Sequence, residues 1–137
     1  MRWLAIGAAL LVAGCSTDVG MSQAEIKAQW DAQNVVPTAY KQDLLAFLRT
    51  YLNDPSHIRE AAVSQPQLKM VGSGQRYVAC VRYNARGAGG KYAGPKVGAA
   101  TYVDGKLDRF LDVPKQAQQF CKDAAYEPFP ELEALKR

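Results

Sequence analysis

QRYVACVRYNA, residues 75–85, is the stretch of sequence that decides the fold. Its apolar side chains recur at every second position, which is the repeat of a β-strand. One face would carry Tyr77, Ala79, Val81 and Tyr83, and the other Val78, Cys80 and Arg82. We therefore predict a strand over residues 75–84 with these two faces.

The segment before this strand predicts a second strand that bends. Residues 61–71 keep the two-residue period around Pro66, and a proline inside a sheet is confined to edges and bulges. Gly72-Ser73-Gly74 then favours a turn. We predict a bent edge strand that turns directly into residues 75–84.

The segment after it predicts a loop and a hairpin. ARGAGGKYAGP, residues 85–95, holds four glycines and a proline, which is typical of a mobile loop. Strands are expected over residues 97–103 and 106–111, because Asp104-Gly105 between them is the preferred pair for a two-residue turn. The sequence leaves open which face of this hairpin is buried.

A helix is predicted on the N-terminal side of the strands. Apolar residues at three- and four-residue steps form one stripe, with Thr38 as the expected cap and Asn53-Asp54-Pro55 as the expected end. The stripe consists of Tyr40, Leu44, Leu45, Phe47, Leu48, Tyr51 and Leu52. Asp54-Pro55-Ser56 also has the form of a new helix start, which predicts one turn through residues 57–60.

A second helix is predicted on the C-terminal side, opened by Pro114 and running to Cys121, with a last turn in residues 127–137. The element order helix, strands, helix indicates an α+β fold. We expect a small antiparallel meander of three to four strands with the N- and C-terminal helices packed on one face. This single domain would span residues 38–137.

Residues 15–37 are predicted to be a tether that contains a short helix. Ser22-Gln23-Ala24-Glu25 has the spacing of a capping box, and Ile26 and Trp30 fall on one helical face. Asn34-Val35-Val36-Pro37 would end this helix, because the residue before a proline disfavours helical geometry.

The first residues have the pattern of an export signal. MRWLAIGAALLVAGC, residues 1–15, has one cation at Arg2 and then an apolar or small stretch up to Gly14. A stretch of about a dozen residues is too short to span a bilayer, which needs roughly 20. We predict that residues 1–14 are a cleaved signal and not a membrane anchor.

Leu11-Val12-Ala13-Gly14-Cys15 resembles the lipobox of bacterial lipoproteins. The resemblance implies a diacylglycerol on the Cys15 sulfur, cleavage before Cys15, and a fatty acid such as palmitate on the new amino terminus. Ser16 resembles the residue found in the outer-membrane class, which implies an outer-membrane, periplasm-facing protein. The alternatives are an ordinary signal peptide with a chance cysteine, or a buried N-terminal helix.

Charge and cysteine content fit an exported domain. Without residues 1–14, 123 residues remain, with 16 basic and 13 acidic side chains and a net charge of +3. A mild positive charge favours anionic envelope surfaces or simply solubility, and a periplasmic protein meets no nucleic acid. With Cys15 acylated, Cys80 and Cys121 form the expected disulfide, worth about 4 kcal/mol. Two buried thiols or a redox pair are the alternatives.

The sequence offers little for catalysis, and we expect no cofactor, no metal and no enzymatic activity. Gly87-Ala88-Gly89-Gly90-Lys91 is not a phosphate loop, because Ala85 stands where that motif needs glycine and Tyr92 where it needs serine or threonine. Nucleotide binding is therefore not predicted. His57 is the single histidine of the chain, so a multi-histidine metal site is excluded, and it is expected as a capping or surface residue.

One patch suits a ligand. Guanidinium groups and tyrosine hydroxyls beside a glycine-rich loop favour an anionic or carbohydrate ligand, or a protein partner. The candidate residues are Arg82, Tyr83, Asn84, Arg86, Lys91 and Tyr92. The alternative is purely structural, with Arg82 paired to an acid and the tyrosines covering the edge of the core.

RYVACVRYNARGAGGKYAG, residues 76–94, and CKDAAYEPFPELE, residues 121–133, resemble small alphaproteobacterial lipoproteins. This resemblance implies the anchor and the disulfide but no activity. We expect a non-enzymatic, lipid-anchored envelope module that acts by contact, with an envelope protein, peptidoglycan or lipopolysaccharide as partner, since tethering raises local concentration. The alternative is a module that binds a small ligand or glycan through residues 82–92.

Overall fold

The structure is a computed structural model that describes Gly14 and residues 20–137. The predicted signal peptide, Cys15 and Ser16 therefore lie outside the described residues, apart from Gly14. The described part contains four helices, α1 (Gln23–Ala32), α2 (Tyr40–Tyr51), α3 (Pro114–Cys121) and α4 (Pro130–Glu133). It contains six strands, β1 (Asp54–Ser64), β2 (Gln67–Val71), β3 (Gly74–Arg86), β4 (Lys96–Val103), β5 (Lys106–Leu111) and β6 (Tyr126–Pro128).

The strands form one antiparallel sheet in the order β5-β4-β3-β1-β6, with β2 also paired to β3. The fold is α+β, as predicted, but the sheet has six strands where three to four were expected. The unexpected strand at the end of the chain, β6, pairs with β1 through Ala62, Val63 and Ser64.

The predicted bend at Pro66 is present between two strands that share one partner. β1 pairs with the C-terminal half of β3 and β2 with its N-terminal half, so Val63 lies opposite Val81 and Gln67 opposite Val78. Pro66 lies between them, where its missing N–H breaks no ladder hydrogen bond. The predicted turn at residues 72–73 then leads into β3.

The predicted helical turn at residues 57–60 is wrong, because this segment is part of β1. The backbone N–H and hydroxyl of Ser56 donate to Asp54 Oδ1, as in a helix cap, but the chain continues as a strand with two irregularities. His57 and Glu60 have positive φ angles of 61° and 54° at these points. A local capping signal was therefore overridden by pairing with β3.

The predicted hairpin of β4 and β5 is confirmed. Asp104 and Gly105 both have positive φ, 53° and 78°, which the tight turn requires of its two central residues. Both faces of β4 are buried, because its successive residues belong to two different hydrophobic cores. Ala100 and Tyr102 face the larger core, and Ala99 faces the smaller one.

The sheet buries both faces, and this corrects the prediction that the helices pack on one face. α2 and α4 cover the larger core through Leu44, Leu48 and Leu132, against Ala79 and Val81 of β3. α3 covers the opposite face. Its Cys121 packs with Val78, Cys80 and Ala99. The two predicted faces of β3 are thus confirmed, and each has its own helical cover.

The predicted disulfide joins Cys80 in the middle of β3 to Cys121 at the end of α3, with Cα atoms 5.8 Å apart. Both cysteines are buried. The disulfide therefore fixes α3 against the face of the sheet that α2 does not cover.

The predicted short helix is present as α1, and its capping box between Ser22 and Glu25 is formed. α1 contacts the domain, because the Trp30 ring stacks on the Arg76 guanidinium at 3.7 Å and Arg76 donates to the Trp30 carbonyl. Gly74 lies directly beneath the indole. Thr38 does not cap α2, whose N-cap residue is Ala39 without a side-chain hydrogen bond.

Within residues 20–137, no helix combines the length and apolar character that a membrane crossing requires.

Candidate functional site

A cavity of about 810 Å³ lies where β3 ends and β4 begins. Its walls come from the end of α2, the link between β5 and α3, and one side of α3 itself. The lining residues that carry charge or a ring are Tyr51, Arg82, Tyr83, Arg86, Lys96, Asp112, Lys122 and Tyr126. A volume in this range accommodates an organic molecule of moderate size.

Three of the predicted patch residues line this cavity: Arg82, Tyr83 and Arg86. β3 pairs with β4 as far as Tyr83 and Lys96, whereas the pairing of β4 with β5 reaches only Ala99 and Leu111. The end of β3 therefore extends beyond the end of β5. Tyr83 directly follows Arg82 in β3, and it is only 3% exposed. Burial raises the pKa of Tyr83 to about 12.

Arg82, Lys96 and Lys122 are lining cations that form no ion pair among the described residues, and Arg82 is the one guanidinium of the three. Its guanidinium lies over the ring of Tyr126, 4.9 Å from the ring centre, and it forms no ion pair with any carboxylate of the described residues. The predicted structural alternative, in which Arg82 pairs with an acid, is therefore not what the described part contains. A guanidinium held by a ring and open on its other side is ready to bind an anion.

Arg86 is engaged differently. One of its nitrogens lies 3.9 Å from a carboxylate oxygen of Asp54, and its guanidinium lies 5.5 Å from the ring centre of Tyr92. Arg59 stacks on the same ring at 3.9 Å. Arg86 thus contributes positive charge to the cavity, but Asp54 of β1 offsets part of that charge.

The remaining predicted residues, Asn84, Lys91 and Tyr92, do not line the cavity. The Tyr92 hydroxyl donates to the carbonyl of His57, and the Asn84 side chain accepts from the N–H of Gly94. Lys91 accepts a backbone hydrogen bond from Gly87 at the exposed tip of the loop. These residues shape the loop beside the cavity and hold it against β1.

Asp112 is the single carboxylate among the described lining residues. It accepts a hydrogen bond from the hydroxyl of Tyr51, and this bond raises the pKa of Tyr51 to about 12. Tyr51 also packs with Phe47 and Phe110, whose ring centres lie 5.1 and 5.3 Å away. One acceptor site of this acid is therefore used, and the lining as a whole is positive, with four cationic side chains against one carboxylate.

One wall of the cavity was missed by the sequence prediction. Pro114, Ala117, Gln118, Cys121 and Lys122 all line it. Their spacing of three and four residues places them on one side of α3, which is a signal that the sequence contains. Its meaning depends on the disulfide, which sets this side of the helix beside the end of the sheet.

Asp54, Ser56 and His57 meet, but not as a catalytic triad. The Ser56 hydroxyl donates to Asp54 and lies 3.0 Å from Nδ1 of His57, so the imidazole must supply the proton of that second contact. In a catalytic triad the histidine lies between serine and acid and takes the serine proton. Here the hydrogen bonds from Ser56 chiefly lower the pKa of Asp54 and stabilise the bend in β1.

Among residues 20–137, no group of three or more histidine, cysteine, aspartate or glutamate side chains is arranged to hold a metal ion. His57 is exposed and lies outside the cavity lining. What the cavity offers is instead a set of hydrogen-bond donors and ring faces, which suits binding.

No protein-family model matches the chain, and neither a curated protein nor a solved structure matches it significantly.

Proposed function

We propose that this protein is a lipid-anchored envelope protein whose periplasm-facing domain binds a small molecule in the cavity between β3 and α3. The observation that carries the proposal is the cavity of about 810 Å³ at the end of the predicted ligand patch. Ligand sites are concave and mostly apolar, with a few polar groups that orient the ligand. A filled, flat surface at this position would have favoured action by contact alone.

The composition of the lining supports the same conclusion. Apolar contact comes from Leu52, Pro95, Val97, Pro114 and Ala117, and polar groups come from both sides of the sheet end. The walls belong to elements far apart in sequence that the disulfide and the contact between Tyr51 and Asp112 bring together. Such a preformed site lowers the entropy cost of binding.

The envelope location rests on the lipobox resemblance at Leu11-Val12-Ala13-Gly14-Cys15. An acylated Cys15 would precede α1 by eight residues, a chain length that spans at most roughly 29 Å when fully extended. The domain would then remain close to the membrane surface. Outer-membrane placement, and peptidoglycan or lipopolysaccharide as partner, remain predictions.

Two tryptophan substitutions on α3 test the cavity. Gln118 lines it, whereas Gln119 is also exposed but is not a lining residue. Fragments of diverse chemistry are screened by saturation-transfer NMR against the soluble domain. We expect Gln118→Trp to abolish fragment binding and Gln119→Trp to preserve it. The absence of any bound fragment, or equal binding by both variants, would contradict the proposal.

The anchor has its own test. Mass spectrometry of the mature N-terminus from native membranes should find diacylglycerol and a fatty acid on Cys15. Cys15→Ser should shift the protein into the soluble periplasmic fraction. An unmodified thiol at position 15 would exclude this mode of anchoring but would leave ligand binding in the cavity untouched.

A further inference from the structure

We infer that the ligand of the cavity is a small organic anion, held by its charged group at Arg82 and by its apolar or aromatic body against the cavity walls. The inference rests on the proposed function, since it names the class of molecule that the cavity binds. It is carried by the hydrogen-bonding character, charge and shape of the lining residues.

The lining is rich in hydrogen-bond donors. Arginine and lysine side chains donate and do not accept. Four of them line the cavity: Arg82, Arg86, Lys96 and Lys122. Asp112 is the single carboxylate among the described lining residues, and one of its acceptor sites already takes the Tyr51 hydroxyl, so charged donors outnumber charged acceptors. A ligand that fits must therefore supply acceptors, as carboxylates, sulfonates and phosphates do.

A neutral sugar fits this lining poorly. Its hydroxyl groups need acceptors as well as donors, and the acceptors beyond Asp112 come mainly from Asn53, Gln118 and tyrosine hydroxyls. A simple inorganic anion fits poorly as well, because it would fill only a small part of about 810 Å³ and would leave the apolar walls without contact. An organic anion can pair its charge with the cationic side chains and place its apolar body against the apolar walls.

Arg82 is the residue placed to hold the charged group. It lies on the Tyr126 ring and has no carboxylate partner in the described part of the chain, whereas Arg86 is 3.9 Å from Asp54. Lys96 and Lys122 also form no ion pair among the described residues and add positive charge to the same lining, but each carries an ammonium group and not a planar guanidinium. Planar guanidinium binds planar carboxylate and sulfonate oxygens through two parallel hydrogen bonds.

Two related dyes separate charge from shape. Anilinonaphthalene sulfonate and phenylnaphthylamine share an aromatic body, and only the first carries a negative charge. Binding of each is measured by fluorescence titration of the folded domain. We expect the sulfonate to bind at least tenfold more tightly than the neutral amine, and Gln118→Trp to abolish binding of the sulfonate.

Charge substitutions then locate the anion. Arg82→Gln should weaken sulfonate binding about tenfold, as loss of a charged hydrogen-bond pair does. Arg82→Lys should restore part of that loss, and neither change should alter binding of the neutral amine by more than about twofold.

Arg109→Gln removes the same charge from β5, outside the cavity, and should leave sulfonate binding unchanged. Asp112→Asn should tighten it, which a merely damaged fold would not do.

The outcomes distinguish the two proposals. One outcome would contradict the inference of an anionic ligand but support the proposal that the cavity binds a ligand. In that outcome the two dyes bind equally well, Gln118→Trp abolishes their binding, and Arg82→Gln does not change it. Binding of neither dye, together with an empty fragment screen, would overturn both. Free naphthoate should displace the sulfonate dye. If phosphatidylglycerol vesicles displace the dye and naphthoate does not, the inference that the ligand is a soluble anion would be contradicted.

Discussion

The hydroxyl of Tyr51 donates a hydrogen bond to the carboxylate of Asp112, 61 residues further along the chain. The bond joins the end of α2 to the segment between β5 and α3, and both residues line the cavity. One contact therefore connects the end of α2 to the segment that leads into α3. It also satisfies one acceptor site of the Asp112 carboxylate, whose negative charge still opposes an anionic ligand.

This contact predicts a measurable alkaline titration. The hydrogen bond to Asp112 raises the pKa of Tyr51 to about 12, so the stability it contributes is present below the ordinary tyrosine pKa of about 10 and is lost as pH rises through about 12. Asp112→Ala should return the pKa of Tyr51 toward about 10. Absorbance at alkaline pH follows the phenolate, and Tyr51→Phe identifies its step. An unchanged titration in Asp112→Ala would show that the bond does not form.

The disulfide should stabilise both the fold and the cavity wall. Replacing Cys80 and Cys121 together by alanine should lower the free energy of unfolding by about 4 kcal/mol, because the unfolded chain regains the entropy of an open loop. Urea unfolding measures the loss. Binding of anilinonaphthalene sulfonate should weaken in parallel, since α3 carries one wall. Full stability in the double variant would contradict the role assigned to this bond.

Gly98 predicts a sharp steric effect near the cavity. A Cβ at this position would lie 2.1 Å from the end of the Phe110 ring, which packs against Phe47 and Tyr51. Gly98→Ala should therefore destabilise the fold by about 1–3 kcal/mol through overpacking. Gly89→Ala is the matched control, because its Cβ would meet open space. Equal unfolding free energies for the two variants would contradict the packing of Phe110 over β4.

The contact between Trp30 and Arg76 predicts that α1 is energetically coupled to the sheet. Arg76 is only 8% exposed, stacks on the indole and donates to the Trp30 carbonyl. A double-mutant cycle with Trp30→Ala and Arg76→Ala should give a coupling of about 1–2 kcal/mol, as a partly desolvated cation–π contact does. Additive losses of unfolding free energy would mean that α1 behaves as a tether without a stabilising contact.

Local signals were sufficient for much of this fold. The alternation along β3, the Asp104-Gly105 turn and the capping box of α1 are each decided by neighbours in sequence, and all three are confirmed. The disulfide was predicted from the two cysteines that remain when Cys15 is taken as acylated, and it is confirmed.

Features decided by distant partners were not predictable in the same way. β6 is only three residues long and contains Pro128, so it exists through pairing with β1 and has no period of its own. The segment at residues 57–60 has a capping signal, yet pairing with β3 makes it a strand. The side of the sheet that α3 covers depends on Cys80 facing away from α2.

The candidate site shows the same division. Arg82, Tyr83 and Arg86 were found because they cluster in sequence, and they line the cavity. Tyr126 was missed because it is 44 residues away from Arg82, the residue that it contacts. The lining side of α3 was missed because the disulfide, which forms between distant residues, places this helix beside the cavity. The sequence shows which residues can bind a ligand, but it does not show which distant segments come together to form the cavity.

The most direct test of the account is the location of the bound anion by NMR. In a titration of the isotope-labelled domain with anilinonaphthalene sulfonate, backbone amide shifts should concentrate at lining residues such as Gly87, Ala93 and Lys122. Shifts concentrated instead at Leu68 and Met70, exposed apolar residues of β2, or the absence of any saturable shift, would contradict the account.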